Sequence, residues 1–247
     1  MNLLIDAGNT RIKWALAEPG GDSWLYSGVL PVEQASGLPQ FFADNFDKLG
    51  INPKNMQIWV SNVAGEEVAR HIRNIGTVPQ HRFIIAREEQ CGVRNGYSSP
   101  SQLGSDRWAA LIAAWHLVHG ECLVANCGTA TTIDALSIHG EFLGGLILPG
   151  VELMQRSLCS ATAQLQHAQG KYATLPLNTA DALLSGAIQA SCGAIVRQYA
   201  LLDKADAPVL LSGGGAAQLQ EHINLPMQMV DNLVLQGVLL IAQEASV

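Results

Sequence analysis

The first thirteen residues combine one acid, one base and a glycine turn. The apolar run Leu3–Ile5 leads into Asp6, Gly8-Asn9 is a tight turn, and a period-2 pattern resumes around Lys13. Backbone N–H groups of a glycine turn bind phosphate oxygens, a carboxylate holds Mg²⁺ through water, and an ammonium supplies positive charge. The stretch therefore predicts a strand–turn–strand site for a nucleotide phosphate tail, with an ordinary hairpin as the local alternative.

A second chemical pair, Asp106-Arg107, opens an apolar helix predicted over 105–119. The carboxylate of Asp106 could accept the proton of a substrate hydroxyl, and the guanidinium fork of Arg107 could bind a carboxylate or a phosphate. The alternative is structural, because an aspartate also stabilises the positive N-terminus of a helix and could pair with the neighbouring arginine.

Two further glycine turns follow apolar strands, at Gly128 and at Gly213–Gly215. Residues 126–129 align with residues 6–9 at an offset of 120, about half the chain. The repeated strand–glycine–strand pattern predicts an internal duplication, with halves 1–119 and 120–247. Strands alternate with helices throughout, which indicates an α/β protein.

The composition limits the class of protein. Of 247 residues, 48% are apolar and 14% are charged, which favours a well-buried core. The net charge is −7 and no basic run occurs, so nucleic-acid binding is not expected. The apolar run Trp108–Val118 is too short to span a bilayer, and no basic n-region precedes an apolar one, so we expect a cytoplasmic protein without membrane contact. Five cysteines without Cys-x-x-Cys or Cys/His spacing predict reduced thiols and no protein-held metal cluster.

Several nucleotide and catalytic motifs are missing from the sequence. There is no Gly-x-x-x-x-Gly-Lys-Ser/Thr loop, no Gly-x-Gly-x-x-Gly opening a helix, and no Gly-x-Ser-x-Gly elbow. These absences exclude P-loop, dinucleotide-binding and α/β-hydrolase sites.

An ordered set of short motifs covers nearly the whole chain and resembles the type III pantothenate kinase family, which includes the Bvg accessory factors. The motifs are Asp6-x-Gly8-Asn9-Thr10-x-x-Lys13, Asn95-x-Tyr97, Pro100, Gly104-x-Asp106-Arg107, Gly128-Thr129-Ala130-Thr131-Thr132, Gly144-Gly145 with Pro149-Gly150, Asn178-Thr179, Gly213-Gly214, and Leu233-Val234-Leu235-x-Gly237.

The resemblance implies the fold of the acetate and sugar kinase, Hsp70 and actin superfamily, with two duplicated ribonuclease-H-like halves flanking a nucleotide cleft. It also implies a cytoplasmic homodimer that phosphorylates pantothenate with ATP and Mg²⁺, the first step towards coenzyme A.

The family's roles carry over to matching positions. Asp106 resembles the catalytic base. The implied nucleotide-binding residues are Asp6, Ala7, Gly8, Asn9, Thr10, Arg11, Ile12, Lys13, Thr129, Gly213 and Gly214, and the implied pantothenate-binding residues are Tyr97, Gly104, Ser105, Asp106, Arg107 and Thr179. On local grounds, Thr179 could equally be a helix N-cap.

One position departs from the family pattern. The second phosphate motif usually carries an aspartate two residues before its glycine, and that aspartate resembles a ligand of K⁺ or NH₄⁺. Here the residue is Asn126, whose amide oxygen can coordinate a cation but adds no negative charge. A dependence on a monovalent cation is therefore open for this chain.

Two other functions fit the same fold. One is phosphorylation of a different small molecule, since the sequence does not show the geometry of Tyr97, Arg107 and Thr179. The other is a regulatory or accessory nucleotide-binding protein with reduced kinase activity. The retained Asp6, Lys13, Asp106 and Arg107 argue against a degenerate site.

Overall fold

The computed structural model describes residues 1–76, 81–162 and 169–245. In chain order its strands and helices are β1 (Asn2–Ala7), β2 (Arg11–Ala17), β3 (Trp24–Pro31), α1 (Leu38–Leu49), β4 (Gln57–Asn62), α2 (Glu66–Arg73), β5 (His81–Phe83), β6 (Glu89–Gln90), β7 (Val93–Asn95), α3 (Ser105–Val118), β8 (Cys122–Cys127), β9 (Ala130–Leu136), β10 (Glu141–Pro149), α4 (Val151–Ala161), α5 (Thr179–Tyr199), β11 (Val209–Ser212), α6 (Ala216–Gln220), β12 (Met227–Met229) and α7 (Leu233–Glu244).

Two compact units divide the chain, Met1–Ala113 with Leu233–Val247, and Ala114–Asn232. The first unit contains a five-stranded sheet in the order β3-β2-β1-β4-β5. β1 is antiparallel to β2 and parallel to β4, so it lies at the centre. Leu3, Ile5 and Ala7 point from β1 into an apolar cluster that includes Phe42 of α1 and Ile72 of α2. This alternation leaves Asp6 on the opposite face of the sheet.

In the second unit the strands follow the order β12-β11-β8-β9-β10. β8 is antiparallel to β9 and parallel to β11. Its apolar cluster joins Leu123 and Ala125 of β8 with Leu211 of β11 and with Ile188 and Ile195 of α5. The core therefore lies between the sheet and the long helix.

The two units repeat one strand arrangement, as expected for a duplicated fold. Asp6 of β1 pairs in register with Ser61 of the parallel strand β4. At the aligned position of the second unit, Asn126 of β8 pairs with Ser212 of the parallel strand β11. The two turns are not identical, because the N–H of Gly8 donates to the Arg11 carbonyl three residues on, over 3.0 Å, whereas that of Gly128 donates to the Ala130 carbonyl two residues on, over 2.9 Å.

The compact units differ from the predicted halves 1–119 and 120–247 at both boundaries. The first boundary falls inside α3, between Ala113 and Ala114. The closing helix α7 belongs to the first unit, where it contacts β1, β2 and β4. The reason is apolar burial, since Leu235, Val238 and Ile241 of α7 are almost fully buried.

Helix α5 is longer than the apolar run considered in the sequence. Its 21 residues are apolar enough, by length and composition alone, to span a membrane. One face of the helix is nevertheless buried in the second core, through Ile188, Cys192 and Ile195. A core helix of a soluble protein passes the same length and composition test.

Gly237 in α7 provides a test of this packing. A Cβ atom at this position would overlap the carbonyl group of Ala109 in α3. Backbone cannot move aside cheaply, so Gly237→Ala should lower the free energy of unfolding by about 3 kcal/mol in a urea titration.

Gly193→Ala in α5 is the matched control, because a Cβ atom there meets no neighbour within 4 Å. It should raise the free energy of unfolding by about 0.5–1 kcal/mol, the usual gain from replacing a helical glycine. Equal effects at the two positions would contradict the close contact between α7 and α3.

Candidate active site

A row of polar side chains crosses the central strands of the first unit. Asp6 on β1 pairs in register with Lys13 on β2 and with Ser61 on β4. Residues paired across neighbouring strands project from the same face of a sheet. The three neighbouring strands therefore place an ammonium, a carboxylate and a hydroxyl side by side on one face of the sheet.

The N-terminus of α3 adds a second carboxylate to this row. Gly104 is the N-cap, since its carbonyl accepts the N–H of Trp108 over 2.9 Å. The Asp106 carboxylate folds back so that its Oδ1 accepts the N–H of Arg107 over 2.8 Å. A Cβ atom on Gly104 would lie 2.7 Å from Asp106 Oδ1. Only glycine at 104 leaves the carboxylate in this position.

The pKa values of Asp6 and Asp106 are both shifted upwards. Burial, and to a smaller extent the Asp106 carboxylate, raise the pKa of Asp6 to about 7, against the opposing effect of Lys13. Asp6 is only partly exposed to solvent, and the surrounding protein makes desolvation the largest cause of its raised pKa. Burial also raises the pKa of Asp106, while the N–H of Arg107 and its guanidinium lower it. Two neighbouring carboxylates in such a site cannot both ionise without cost.

Ser105 lies between the substrate motif and the sheet. Its Oγ is 3.1 Å from Ser61 Oγ and accepts the N–H of Asn62 over 3.1 Å. Ser61 is fully buried and Ser105 is 8% exposed. The hydroxyl of Ser105 thus joins α3 to the end of β4.

Tyr97 and Arg107 form a polar clamp near the start of α3. Arg107 is buried, and its Nη1 donates to Tyr97 Oη over 2.9 Å. Asn95 fixes the tyrosine, because its Oδ1 accepts the N–H of Tyr97 and its Nδ2 donates to the Pro100 carbonyl. The loop residue Tyr97 and the helix residue Arg107 therefore hold their polar ends together.

The predicted phosphate and adenosine motifs of the second unit meet at one edge of its sheet. The turn after β8 is held by Gly150, whose N–H donates to the Thr129 carbonyl over 2.8 Å. The glycine run after β11 is held by the same strand, because the N–H of Gly215 donates to the Cys127 carbonyl over 2.9 Å. Thr129 and Gly214 are both exposed.

Thr179 is not the N-cap of α5. Asn178 has that role, since its Oδ1 accepts the N–H of Asp181 over 3.0 Å. Thr179 is exposed and lines a cavity of about 500 Å³ between α4 and α5. Its other walls are Met154, Ser157, Leu158, Ala182, Leu183, Gly186 and Ala187.

The donor set near Asp6 suits Mg²⁺. This ion prefers carboxylate oxygens, keeps several waters and takes further oxygens from substrate phosphates. Asp6 and Asp106 supply two carboxylates in a site where their mutual repulsion favours a bound cation. Among the described residues no group of three or more His, Cys, Asp or Glu could form a complete metal site. Asp6 would therefore hold the ion with water and phosphate oxygens as the remaining ligands.

Some predicted site residues have exposed side chains, and others have side chains buried inside the protein. Asn9, Thr10 and Arg11 are exposed on the first turn, whereas Ala7 and Ile12 are buried in the apolar cluster and could contact a ligand only through their backbone. Ser105 directs its hydroxyl to β4. Sequence reasoning missed Ser61 and gave Asn95 no role. The available signal at Ser61 was a polar residue directly after the apolar run Ile58-Trp59-Val60 in the predicted strand 57–63.

Comparison with known proteins gives matches along the whole chain. The family model of type III pantothenate kinase matches residues 2–201. A protein from Aromatoleum aromaticum named type III pantothenate kinase is 46% identical over 249 residues, covering 99% of this chain and 98% of that protein.

Solved structures share the fold at low sequence identity. A conserved Baf family protein from Campylobacter jejuni superposes with a TM-score of 0.62 at 24% identity, over 98% of both chains. The activator of 2-hydroxyisocaproyl-CoA dehydratase from Clostridium difficile, with bound ADPNP, gives 0.56 at 11% identity over 99% and 94% of the two chains. The predicted actin-like ATPase and sugar kinase fold is confirmed.

The Asp6 carboxylate should destabilise the ligand-free protein above neutral pH. An aspartate whose pKa is higher in the folded state binds its proton more tightly there, so stability is highest near pH 4 and falls as the pH rises through 7. Asp6→Asn removes this loss. In urea titrations it should be more stable than the wild type by about 3–4 kcal/mol at pH 8, with little difference at pH 4.

Asp22→Asn, at an exposed position in the loop after β2, is the control and should change stability at neither pH. A wild type whose unfolding free energy does not fall between pH 4 and pH 8 would refute the shifted pKa of Asp6.

Proposed function

Because the chain belongs to the type III pantothenate kinase family and phosphorylates pantothenate with ATP on the route to coenzyme A, we propose that Asp106 is the base of this reaction. The observation that carries the proposal is the place of Asp106, which lies beside Asp6 and next to Arg107 at the start of α3. Asp106 is thus near Asp6, the acid of the phosphate motif, and near Arg107, whose guanidinium can bind an anion.

In phosphoryl transfer the protein mainly positions the reactants and stabilises charge. The Asp106 carboxylate accepts a hydrogen bond from the primary hydroxyl of pantothenate and takes its proton late in the transfer. The raised pKa of Asp106 makes it a stronger base than an exposed aspartate. Bound Mg²⁺ would neutralise charge on the phosphates, and Asp6 would be the residue that holds it.

In this proposal, Tyr97 and Arg107 bind the substrate, together with residues near them. Arg107 presents a planar fork that suits the pantothenate carboxylate, and its bond to Tyr97 limits its rotation. Gly104 admits the Asp106 carboxylate, and Thr179 is a pantothenate contact by its match to the family motif. By the same match, the ATP contacts are the turn residues Gly8 to Arg11 with Lys13, and the glycine-turn residues Thr129, Gly213 and Gly214.

The finer properties of the enzyme are also proposals. The family pattern favours a cytoplasmic homodimer that acts on a small molecule and contacts neither nucleic acid nor membrane. A homodimer is supported by exposed apolar side chains in the second unit, which a second copy would cover. They are Leu143, Leu146, Ile147, Leu153, Leu158, Leu175 and Leu177.

Asp106→Asn tests the catalytic base. The amide keeps the size of the side chain but cannot take a proton, so kcat should fall at least about 100-fold in an ADP-release assay with ATP and pantothenate. Asp44→Asn, at an exposed position in α1, should retain the wild-type kcat. If a folded Asp106→Asn enzyme keeps near-full turnover, Asp106 is not the base.

Asn126 allows a test of the monovalent cation. Its neutral amide, paired in register with Ser212, supplies no charge to hold K⁺ or NH₄⁺. Wild-type rates in potassium, ammonium and sodium chloride at fixed ionic strength should therefore agree within about twofold, whereas Asn126→Asp should favour K⁺ and NH₄⁺ over Na⁺. Strong activation of the wild type by K⁺ relative to Na⁺ would contradict this expectation.

A further inference from the structure

A buried pair of serines links the catalytic helix to the sheet of the first unit. Ser61 on β4 and Ser105 on α3 are 44 residues apart in sequence, and their Oγ atoms are 3.1 Å apart. Ser61 is 0% exposed and Ser105 is 8% exposed. A second bond runs to the same place, since Ser105 Oγ accepts the backbone N–H of Asn62 over 3.1 Å.

The contact matters for the site because Ser61 lies next to Asp6. Ser61 is the in-register neighbour of Asp6 on the adjacent parallel strand. A helix whose first residue is fixed at Ser61 must place its second residue, Asp106, close to Asp6. The carboxylate at 106 is near enough for its charge to raise the pKa of Asp6, in agreement with this placement.

The contact holds the first residue of α3 against β4 through buried hydrogen bonds. Buried hydrogen bonds are lost only at the cost of leaving their polar groups unsatisfied, which makes the Ser61–Ser105 pair an effective restraint.

The bonding of Ser105 also limits what it can do for the substrate. A hydroxyl has one donor hydrogen and two acceptor sites, and two of these functions are already used by Ser61 and Asn62. The group lies inside the protein and is directed towards β4.

We propose that the Ser61–Ser105 pair positions Asp106 beside Asp6, and that Ser105 acts through Asp106 and does not bind pantothenate. The proposal rests on the proposed role of Asp106 as the base. Both serines are positioning residues, because their effect on the reaction passes through another side chain. This assignment differs from the role implied for Ser105 by the family motif.

A positioning residue and a substrate contact affect different kinetic constants. Loss of a direct contact weakens pantothenate binding and raises its KM, whereas misplacement of the base lowers kcat. Displacements near 1 Å can cost about 100-fold in rate. Removal of one of the two bonds that hold Ser105 should cost less, about tenfold in kcat, with the KM for pantothenate within about twofold of the wild type.

The experiment measures kcat and KM for Ser105→Ala, Ser61→Ala and the double variant, with thermal melting as a check on folding. Ser61→Ala, which removes one of the two bonds, should lose about tenfold in kcat. Ser105→Ala, which removes both bonds, should lose at least as much, and the double variant should lose no more than Ser105→Ala, because both serines share the interaction that Ser61→Ala removes. Ser105→Thr, which keeps the hydroxyl, should recover most of the rate. Ser191→Ala is the control, since it removes an equally buried hydroxyl that donates to the Ala187 carbonyl in α5, and it should keep the wild-type kcat.

The outcomes separate this proposal from the assignment of the base. A higher KM with unchanged kcat in Ser105→Ala would make Ser105 a substrate contact and overturn the proposal. Wild-type kinetics in both single variants, or losses that multiply in the double variant, would also overturn it. An inactive Asp106→Asn enzyme beside unaffected serine variants would refute the positioning role alone, whereas an active one would refute the base. Addition of Ser105→Ala to Asp106→Asn should cause no further loss of rate.

Discussion

The burial of two carboxylates, Asp6 and Asp106, is the constraint on which the polar site of the first unit depends. The two carboxylates come from residues 100 positions apart in sequence, and burial raises the pKa of both. In the ligand-free protein, keeping the Asp6 carboxylate ionised in this surrounding costs stability at neutral pH.

Several neighbouring residues make this arrangement possible, each for a different physical reason. Gly104 has no Cβ atom that would displace the Asp106 carboxylate. Ser61 and Ser105 hold the helix against the strand. Arg107, buried and bonded to Tyr97, brings a positive charge next to the carboxylate and lowers its pKa again. Three effects set the charge of the site: burial of both carboxylates, repulsion of Asp6 by Asp106, and attraction between Asp106 and Arg107.

The duplication explains why the same local geometry occurs twice with different chemistry. In both units a central strand ends in a glycine turn and runs parallel to a strand that carries a serine in register, Ser61 in one and Ser212 in the other. The first copy has Asp6 at the paired position and the second has Asn126. Because Asn126 is neutral, only the first copy has a carboxylate at this position, that of Asp6.

The sequence by itself determined much of this protein. Hydrophobic alternation and glycine turns predicted both hairpins, the helix at 105 and the α/β class, because these depend on contacts between residues close in the chain. Ordered motifs predicted the family and its fold, both of which the comparisons confirm.

Only the tertiary structure decided how distant residues meet. It placed α7 in the first unit, gave the cap of α5 to Asn178, and turned the Ser105 hydroxyl towards Ser61. It also buried Asp6 and brought Asp106 near it, and burial first, then the charge of Asp106, raise the pKa of Asp6. Burial and charge interactions of this kind arise between strands and helices far apart in sequence, and no local pattern encodes them.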